Sequence, residues 1–415
     1  MRRRDFLTHT GLMLAASGAA GAATQVPTGP VNGAPTAPPD PACHPSMPLI
    51  ATADGLVPLP LVRAQTDRII ALTVCTRPFR AGGARIETER LGRKTIVHNY
   101  GHGGSGWSLS WGSGTLAVRK VLETRASEIA VIGCGVIGLT SALLAQRAGL
   151  KVRIYAKDRP PDTRSTFATG NWSPNSRYCS VEGMTPEVAA QWEEMARISF
   201  RMYQNLLGLP GDPIEWRDGY FLVDSGTQLP HAQQEPEYPA LESRISDILP
   251  RGQEMPPGTH PFPVDFVRRF TNMIFNISAY SRLLVADFLA AGGVIETREF
   301  EKPGDIARLR EKTVINATGY GARALFGDES ITPVRGQLMR LIPQPEVTYG
   351  LNYGDQFYMV PRRDGIILQS QAPGDFGNAD ITPDRAAAER TVRAVADLNQ
   401  RIRANLTCVQ AAALP

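Results

Sequence analysis

Glu128-Ile129-Ala130-Val131-Ile132-Gly133-Cys134-Gly135-Val136-Ile137-Gly138 is the stretch that decides the fold. Its first five residues make a short apolar strand, its last six a G-x-G-x-x-G turn, and Leu139 to Ala148 then has helical composition. Each glycine has its own task. Gly133 permits the tight turn, Gly135 lets the backbone approach a pyrophosphate, and Gly138 lets the helix pack on the strand. Cys134, Val136 and Ile137 complete the turn, and the helix N-terminus presents free N–H groups to negative charge. A G-x-G-x-x-G alone is weak; between a strand and a helix it predicts a dinucleotide-binding βαβ unit, whose second strand is Lys151-Val152-Arg153-Ile154-Tyr155. An acidic residue usually ends that strand and holds the adenosine ribose. Here Lys157 stands at the expected position and Asp158 one residue later, so both are candidates at the ribose, and the lysine is the one feature pointing to NADP.

The rest of the chain narrows the class. Its 415 residues suffice for one large domain or two closely joined ones. With 42% hydrophobic and 20% charged residues the balance is that of a globular protein, not a disordered or membrane-spanning one. The net charge of +4 owes three to Arg2, Arg3 and Arg4, which leaves the remainder nearly neutral and predicts no nucleic-acid partner. Residues 1–23 read as a signal peptide of the twin-arginine type: a charged head, a short apolar run from Gly11 to Ala16, and small residues through Ala23. The run falls well short of the roughly 20 apolar residues of a membrane span. Export of a folded chain by the twin-arginine machinery, to the periplasm or the exterior, is therefore expected. Residues 24–60, rich in Pro, Gly, Ala and Thr, read as an extended linker without regular structure. Five cysteines show no zinc spacing and name no disulfide pair. No metal is expected either, since His98 and His102 lie four apart on a glycine loop and would not face one site.

The most specific stretch precedes the turn: Ile96-Val97-His98-Asn99-Tyr100-Gly101-His102-Gly103-Gly104-Ser105-Gly106-Trp107-Ser108-Leu109-Ser110-Trp111-Gly112. It closely resembles the signature of the D-amino-acid oxidase family, which includes D-aspartate oxidase. Thr76-Arg77-Pro78-Phe79-Arg80 and Arg85-Ile86-Glu87-Thr88-Glu89 resemble the region of the family's substrate-binding arginine, and Thr163 to Pro174 resembles its cofactor-binding segment. Asn316-Ala317-Thr318-Gly319, Arg335-Gly336-Gln337 and Tyr358-Met359-Val360-Pro361 follow in family order, so the resemblance spans roughly residues 72 to 400. One part is out of order. In the family the HNYGHGG stretch lies far downstream of the G-x-G-x-x-G strand; here it comes first, joined to it by a helix from about Gly114 to Leu122. This resembles a circular permutation, with the C-terminal helix, roughly Asp384 to Arg403, expected to end near the start of the Arg77 strand.

The resemblance implies an α/β fold within residues 61–415. A Rossmann-like FAD-binding domain (about 95–180 and 285–325) would be joined to an α+β substrate domain on a mainly antiparallel sheet (about 68–92, 181–284 and 326–405). It implies FAD, held without a covalent bond by the turn 133–138, Lys157 or Asp158, Thr163, Arg164, Ser165, Gly170, Asn171, Phe300 and Thr318. Gly103, Gly104, Gly106, Trp107 and Ser108 would join them, the glycines bringing backbone N–H groups to the flavin carbonyl and a carbonyl to the substrate amine. Arg77 and Tyr358 would hold the substrate carboxylate from neighbouring strands, within about 10 Å of each other. Gly104 and Tyr353 complete the substrate set, Tyr353 because the family's lid tyrosine falls on Gly354. The implied reaction moves hydride from the α carbon of a D-amino acid to flavin, giving an imino acid, then a 2-oxo acid and ammonia, while dioxygen becomes hydrogen peroxide. No side-chain base is required. A glycine- or sarcosine-type amine oxidase, an NAD(P)-dependent dehydrogenase and a catalytically silent secreted flavin-binding protein are the rivals. The preferred amino acid and the oligomeric state stay open.

Overall fold

The computed structural model describes residues 48–52, 55–224, 235–354, 356–370 and 374–409. The expected signal peptide, residues 1–23, and the expected linker up to residue 47 lie outside the described residues. The chain divides into two units, Met1–His44 and Pro45–Pro415, and every described residue belongs to the second.

That unit opens with a hairpin, β1 (Leu49–Thr52) and β2 (Gly55–Pro58), followed by the long strand β3 (Ile69–Arg80). Next, β4 (Thr88–Leu91) and β5 (Lys94–His98) lead into helix α1 (Gly106–Glu123). The βαβ unit is β6 (Glu128–Ile132), α2 (Val136–Arg147) and β7 (Lys151–Ala156). After it come α3 (Pro186–Gln204), β8 (Ile214–Val223), β9 (Gln253–Glu254), β10 (Phe266–Phe275), α4 (Ile277–Ala290) and β11 (Val294–Thr297). The chain ends with α5 (Pro303–Ala307), β12 (Thr313–Asn316), α6 (Ala322–Phe326), β13 (Ile331–Leu341), β14 (Gly350–Tyr353), β15 (Phe357–Arg362), β16 (Gly365–Gln369) and α7 (Arg385–Val409).

Two sheets divide the work. The first has six strands in the order β11-β7-β6-β12-β5-β4, all parallel except β4, which runs antiparallel to β5. Its central strands are apolar on both faces, as a buried parallel sheet demands. Ile129, Val131, Val97 and Ile315 face a core shared with α1 to α4, while Ala130, Ile132, Ile96 and Val314 face a second core with Ile306 and Leu325. The second sheet has eight strands in the order β3-β13-β16-β15-β14-β8-β10-β9, antiparallel except where β14 lies alongside β8. α7 covers part of it: Ala388, Val392, Val395, Leu398 and Ile402 form its apolar stripe and pack with Leu341, Ile366 and Leu368. This is the expected pairing of a Rossmann-like layer with a mainly antiparallel one.

Several boundaries differ from the sequence reading. Thr88–Leu91, assigned to the substrate domain, pairs with β5 and closes the edge of the cofactor sheet. The last part of the supposed linker is the β1–β2 hairpin, whose Ile50 is buried with Leu59 and Val62 against α7. α1 begins eight residues before Gly114. A Cβ at Gly112 would stand 2.2 Å from the Met195 carbonyl on α3, and one at Gly114 3.0 Å from Leu144 on α2. Glycines that weaken a helix by about 1 kcal/mol each are here the contact points of a helix squeezed between two others. The first turn of α7, not its end, lies by the start of β3, with Arg385 donating to the Thr66 carbonyl at 3.2 Å.

Candidate active site

Four strand ends converge on one edge of the parallel sheet. β5, β6, β12 and β7 run the same way, so His98, Ile132, Asn316 and Ala156 all open toward the edge where such sheets take their ligands. The glycine turn sits in the middle. Gly133 has φ +108°, and a Cβ there would lie 2.4 Å from the Ala317 carbonyl. At Gly138 a Cβ would fall 2.0 Å from the Gly133 carbonyl, so helix and turn touch as the motif requires. A Cβ at Gly135 would meet only Ser165, at 3.2 Å, and one at Gly106 would meet nothing within 4 Å. These two positions border the open space that a pyrophosphate and a flavin need.

The remaining cofactor candidates gather around that space. The Ser165 hydroxyl accepts from the Val136 N–H at 3.1 Å and lies 3.2 Å from Thr163 Oγ1, while its carbonyl accepts from the Trp107 indole at 2.6 Å. Ser108 Oγ accepts from the Ser173 N–H at 2.8 Å, and Arg164 donates to the Val74 carbonyl at 3.4 Å. Gly170, at φ +89°, rests against the Phe275 carbonyl, and Asn171 bridges to Ile274. Thr318 donates to Asn316 Oδ1 at 2.7 Å beside Gly133. At the far end, Phe300 packs edge-on against Tyr155 under the Arg298 guanidinium. Lys157 is exposed and salt-bridged to Glu299 at 3.2 Å, which leaves Asp158 as the exposed carboxylate following the strand. Cys134 is buried, and burial pushes its thiol up to about 11.

Beneath the loop 101–106 lies a buried polar frame. His102 Nε2 shares a hydrogen bond with Ser113 Oγ at 2.7 Å, Ser113 donates to Asn99, and Asn99 donates to Ser141 at 3.2 Å. Burial drives the His102 pKa down to about 3, so the ring is neutral at any working pH. His98 instead faces Glu89 at 2.9 Å and Asn316 at 3.1 Å. The loop glycines behave differently from expectation. Gly103 donates to the Pro78 carbonyl and Gly104 to the Ser176 carbonyl, so neither N–H is left for a flavin. The helix start supplies donors instead, because the first N–H groups of α1, from Gly106 to Ser108, have no partner one turn back.

The substrate residues meet across the second sheet. Cross-strand register puts Asn352 opposite Tyr358, Tyr358 opposite Gln369, Gln369 opposite Leu338, and Leu338 opposite Thr73. Arg77 is four residues along β3 from Thr73 and on the same face. Two strands therefore separate Arg77 from Tyr358, not none as expected, and the long Arg77 side chain reaches across the first of them. Its guanidinium crosses β13 at Gly336, where a Cβ would lie 2.3 Å from Nη2, and Nη1 donates to the Arg335 carbonyl at 2.8 Å. Arg77, Gly104, Asn171 and Tyr358 line one cavity of about 180 Å³. Among the described residues no carboxylate pairs with Arg77 and no group bonds the Tyr358 hydroxyl. Burial holds the Tyr358 pKa well above the ordinary phenol value, so the hydroxyl stays a donor.

Tyr353 is a correction. Side chains alternate along β14, so Asn352 and Gly354 line the cavity while Tyr353 points the other way, into the core beneath α7. Its hydroxyl bonds Asp224 and Arg401. The sequence reading also missed Arg177, Ser176, Asn352 and Gln369 on the cavity wall. Hairpin pairing across from Tyr358 would have offered Asn352; nothing local marked Arg177.

A family model described as FAD dependent oxidoreductase (DAO) matches residues 128–411. A D-amino-acid oxidase of Rubrobacter xylanophilus is 30% identical over 280 residues, covering 66% of this chain and 77% of the relative. One of Streptomyces coelicolor is 28% identical over 277 residues, covering 64% and 76%. Among solved structures, the iminodiacetate oxidase of Chelativorans sp. BNC1 aligns with a TM-score of 0.44 at 15% identity, over 67% of this chain and 79% of that one. With the family model covering well over half its length, and with a glycine turn, open edge and neighbouring cavity suited to the cofactor, the chain belongs to the DAO family of FAD-dependent oxidoreductases.

Proposed function

We propose that this protein is a D-amino-acid oxidase, taking a D-amino acid and dioxygen to a 2-oxo acid, ammonia and hydrogen peroxide. The observation that carries the reading is the cavity: among the described residues, an arginine without a carboxylate partner and a phenol without a bond both line a space beside the glycine loop. An α-carboxylate is the group that satisfies both. The free edge of the Arg77 fork takes two charge-assisted hydrogen bonds, and Tyr358 adds a third. Held so, the substrate has one orientation left, which the Gly104 backbone fixes by taking the amine. When bound, FAD would supply the redox chemistry, as acceptor of the α-carbon hydride and donor to dioxygen. The protein's own share is orientation and exclusion of water. The HNYGHGG stretch and the names of the relatives support the D configuration.

A peroxide-coupled assay of the FAD-loaded protein tests this. Peroxide should form with several D-amino acids and not with their L enantiomers. Turnover of glycine or sarcosine alone would replace the reading with an amine oxidase. We also infer that the chain is a circular permutant, exported folded. The inference rests on the order of the motifs and on the paired arginines before Phe6-Leu7. Among the described residues no helix is long and apolar enough to cross a membrane.

A further inference from the structure

A second arginine lines the cavity, and it already holds a carboxylate. Arg177 sits at φ +50°, its backbone carbonyl against Gly103 and its side chain 15% exposed. Nε and Nη2 donate to the two oxygens of Glu235 at 3.2 and 3.1 Å, a two-point fork. The Tyr238 hydroxyl donates to the same carboxylate at 3.0 Å, and its ring lies 6.0 Å from the guanidinium. Tyr238 packs in turn on Phe79, two residues from Arg77 and on the same face of β3. Among the described residues, the rest of the wall beyond Arg77 and Tyr358 is largely uncharged and polar, with Asn171, Ser173, Asn352 and Gln369.

We infer that Glu235 occupies, from within the chain, the place a substrate's side-chain carboxylate would take on Arg177, so that the enzyme favours small uncharged polar side chains over acidic ones. The inference rests on the D-amino-acid reading above. An acidic substrate would have to break a half-buried fork and then sit beside the displaced Glu235, anion against anion. A side chain such as that of serine or asparagine finds hydroxyl and amide partners in Ser173, Asn171, Asn352 and Gln369 and need not displace Glu235. Specificity of this kind lies in the repulsion that an internal charge sets against the wrong ligand. Removing the charge of Glu235 should open Arg177 to the acidic class.

The test is anaerobic reduction of the bound flavin, followed by loss of its visible absorbance, with D-serine, D-asparagine, D-aspartate and D-glutamate. The unmodified holoenzyme should be reduced by the neutral pair with a specificity constant at least ~10-fold above the acidic pair. Glu235→Gln should shift the acidic-to-neutral ratio by ~10-fold or more toward the acidic substrates, and Tyr238→Phe by less in the same direction. Should Glu235→Gln fail to retain FAD, the ratio in Tyr238→Phe decides. Fastest reduction of the unmodified enzyme by an acidic substrate overturns the inference, as does an unchanged ratio in variants that keep their flavin and melting temperature. If no D-amino acid reduces any of the proteins, the functional reading falls, and the pair is then judged by titration. Malonate, relative to acetate, should gain ~10-fold in flavin-perturbing affinity on Glu235→Gln, and an equal gain for both overturns it.

Discussion

Arg77 crosses β13 where the strand carries no side chain, and the reach of the guanidinium depends on that missing methyl group as much as on its own length. Arg77→Leu should keep the flavin, since the hydrogen bond its guanidinium makes among the described residues goes to the Arg335 carbonyl and not to a cofactor candidate. It should lose about 3 kcal/mol in kcat/KM, roughly 100-fold, with the substrate carboxylate left unpaired. Steady-state kinetics on the yellow variant measure it, and a near-normal specificity constant would remove Arg77 from the site. Gly336→Ala should act through the same atoms. Its Cβ would stand within 2.6 Å of three guanidinium atoms, so the fork must swing away and KM should rise with the flavin spectrum unchanged. Asp364 makes a different kind of point. Burial works against its carboxylate, yet Arg362, Ser278 and Arg340 hold it down to about 2, and Arg362 also donates to the Ala168 carbonyl next to the cofactor segment. A depressed folded pKa means stability that is complete above the unfolded value near 3.9 and lost as pH falls toward 2. About 2 kcal/mol is at stake. The melting temperature should drop between pH 4 and 2, and the drop should shrink in Asp364→Asn, which is already less stable at pH 7.

Among the elements, the β6–turn–α2 unit is the one whose form follows most directly from its residues. Gly138→Ala should give a colourless protein, since the Gly133 carbonyl it would strike is the turn itself; absorbance at flavin wavelengths after purification decides. FAD should also leave with acid precipitation. No cysteine is prepared to anchor it through the turn, because Cys134 is buried with its thiol pushed up to about 11. Coloured protein in the pellet would show a covalent link. This unit was legible because glycine spacing, strand and helix all carry local signals. α1 was legible only from its midpoint, since Trp111-Gly112-Ser113-Gly114 reads as loop until α2 and α3 are there to press on it. Tyr353 was misplaced because a resemblance gives position in the chain, and strand alternation gives the face. Arg177 stayed invisible for a third reason: its partner Glu235 lies 58 residues away and its neighbour Gly103 comes from another loop altogether.

For the whole molecule, the proposed permutation makes an engineering prediction. Residues 59–68 run back along α7, with Val62 accepting from Asn399 at 2.7 Å and Thr66 from Arg385 at 3.2 Å. The second half of α7, at Asn399, thus lies beside Val62 in the segment that leads into β3. A chain rearranged to begin at β6, with residues 61–124 moved behind α7 through a short flexible link, should fold, bind FAD and keep turnover within about 10-fold. Loss of FAD from a soluble rearranged protein would argue against a permuted origin.

The sheet orders also set a timetable. β5 and β6 leave the ribosome early, but the strand that lies between them, β12, is among the later ones, and β3 waits equally long for β13. Until residues 313–341 have been made, the glycine loop and the glycine turn stand on strands that lack the one pairing between them, and Arg77 has no Gly336 to cross. A nascent chain halted before β12 should therefore carry no flavin, and capture of the cofactor becomes an event that follows synthesis rather than accompanies it.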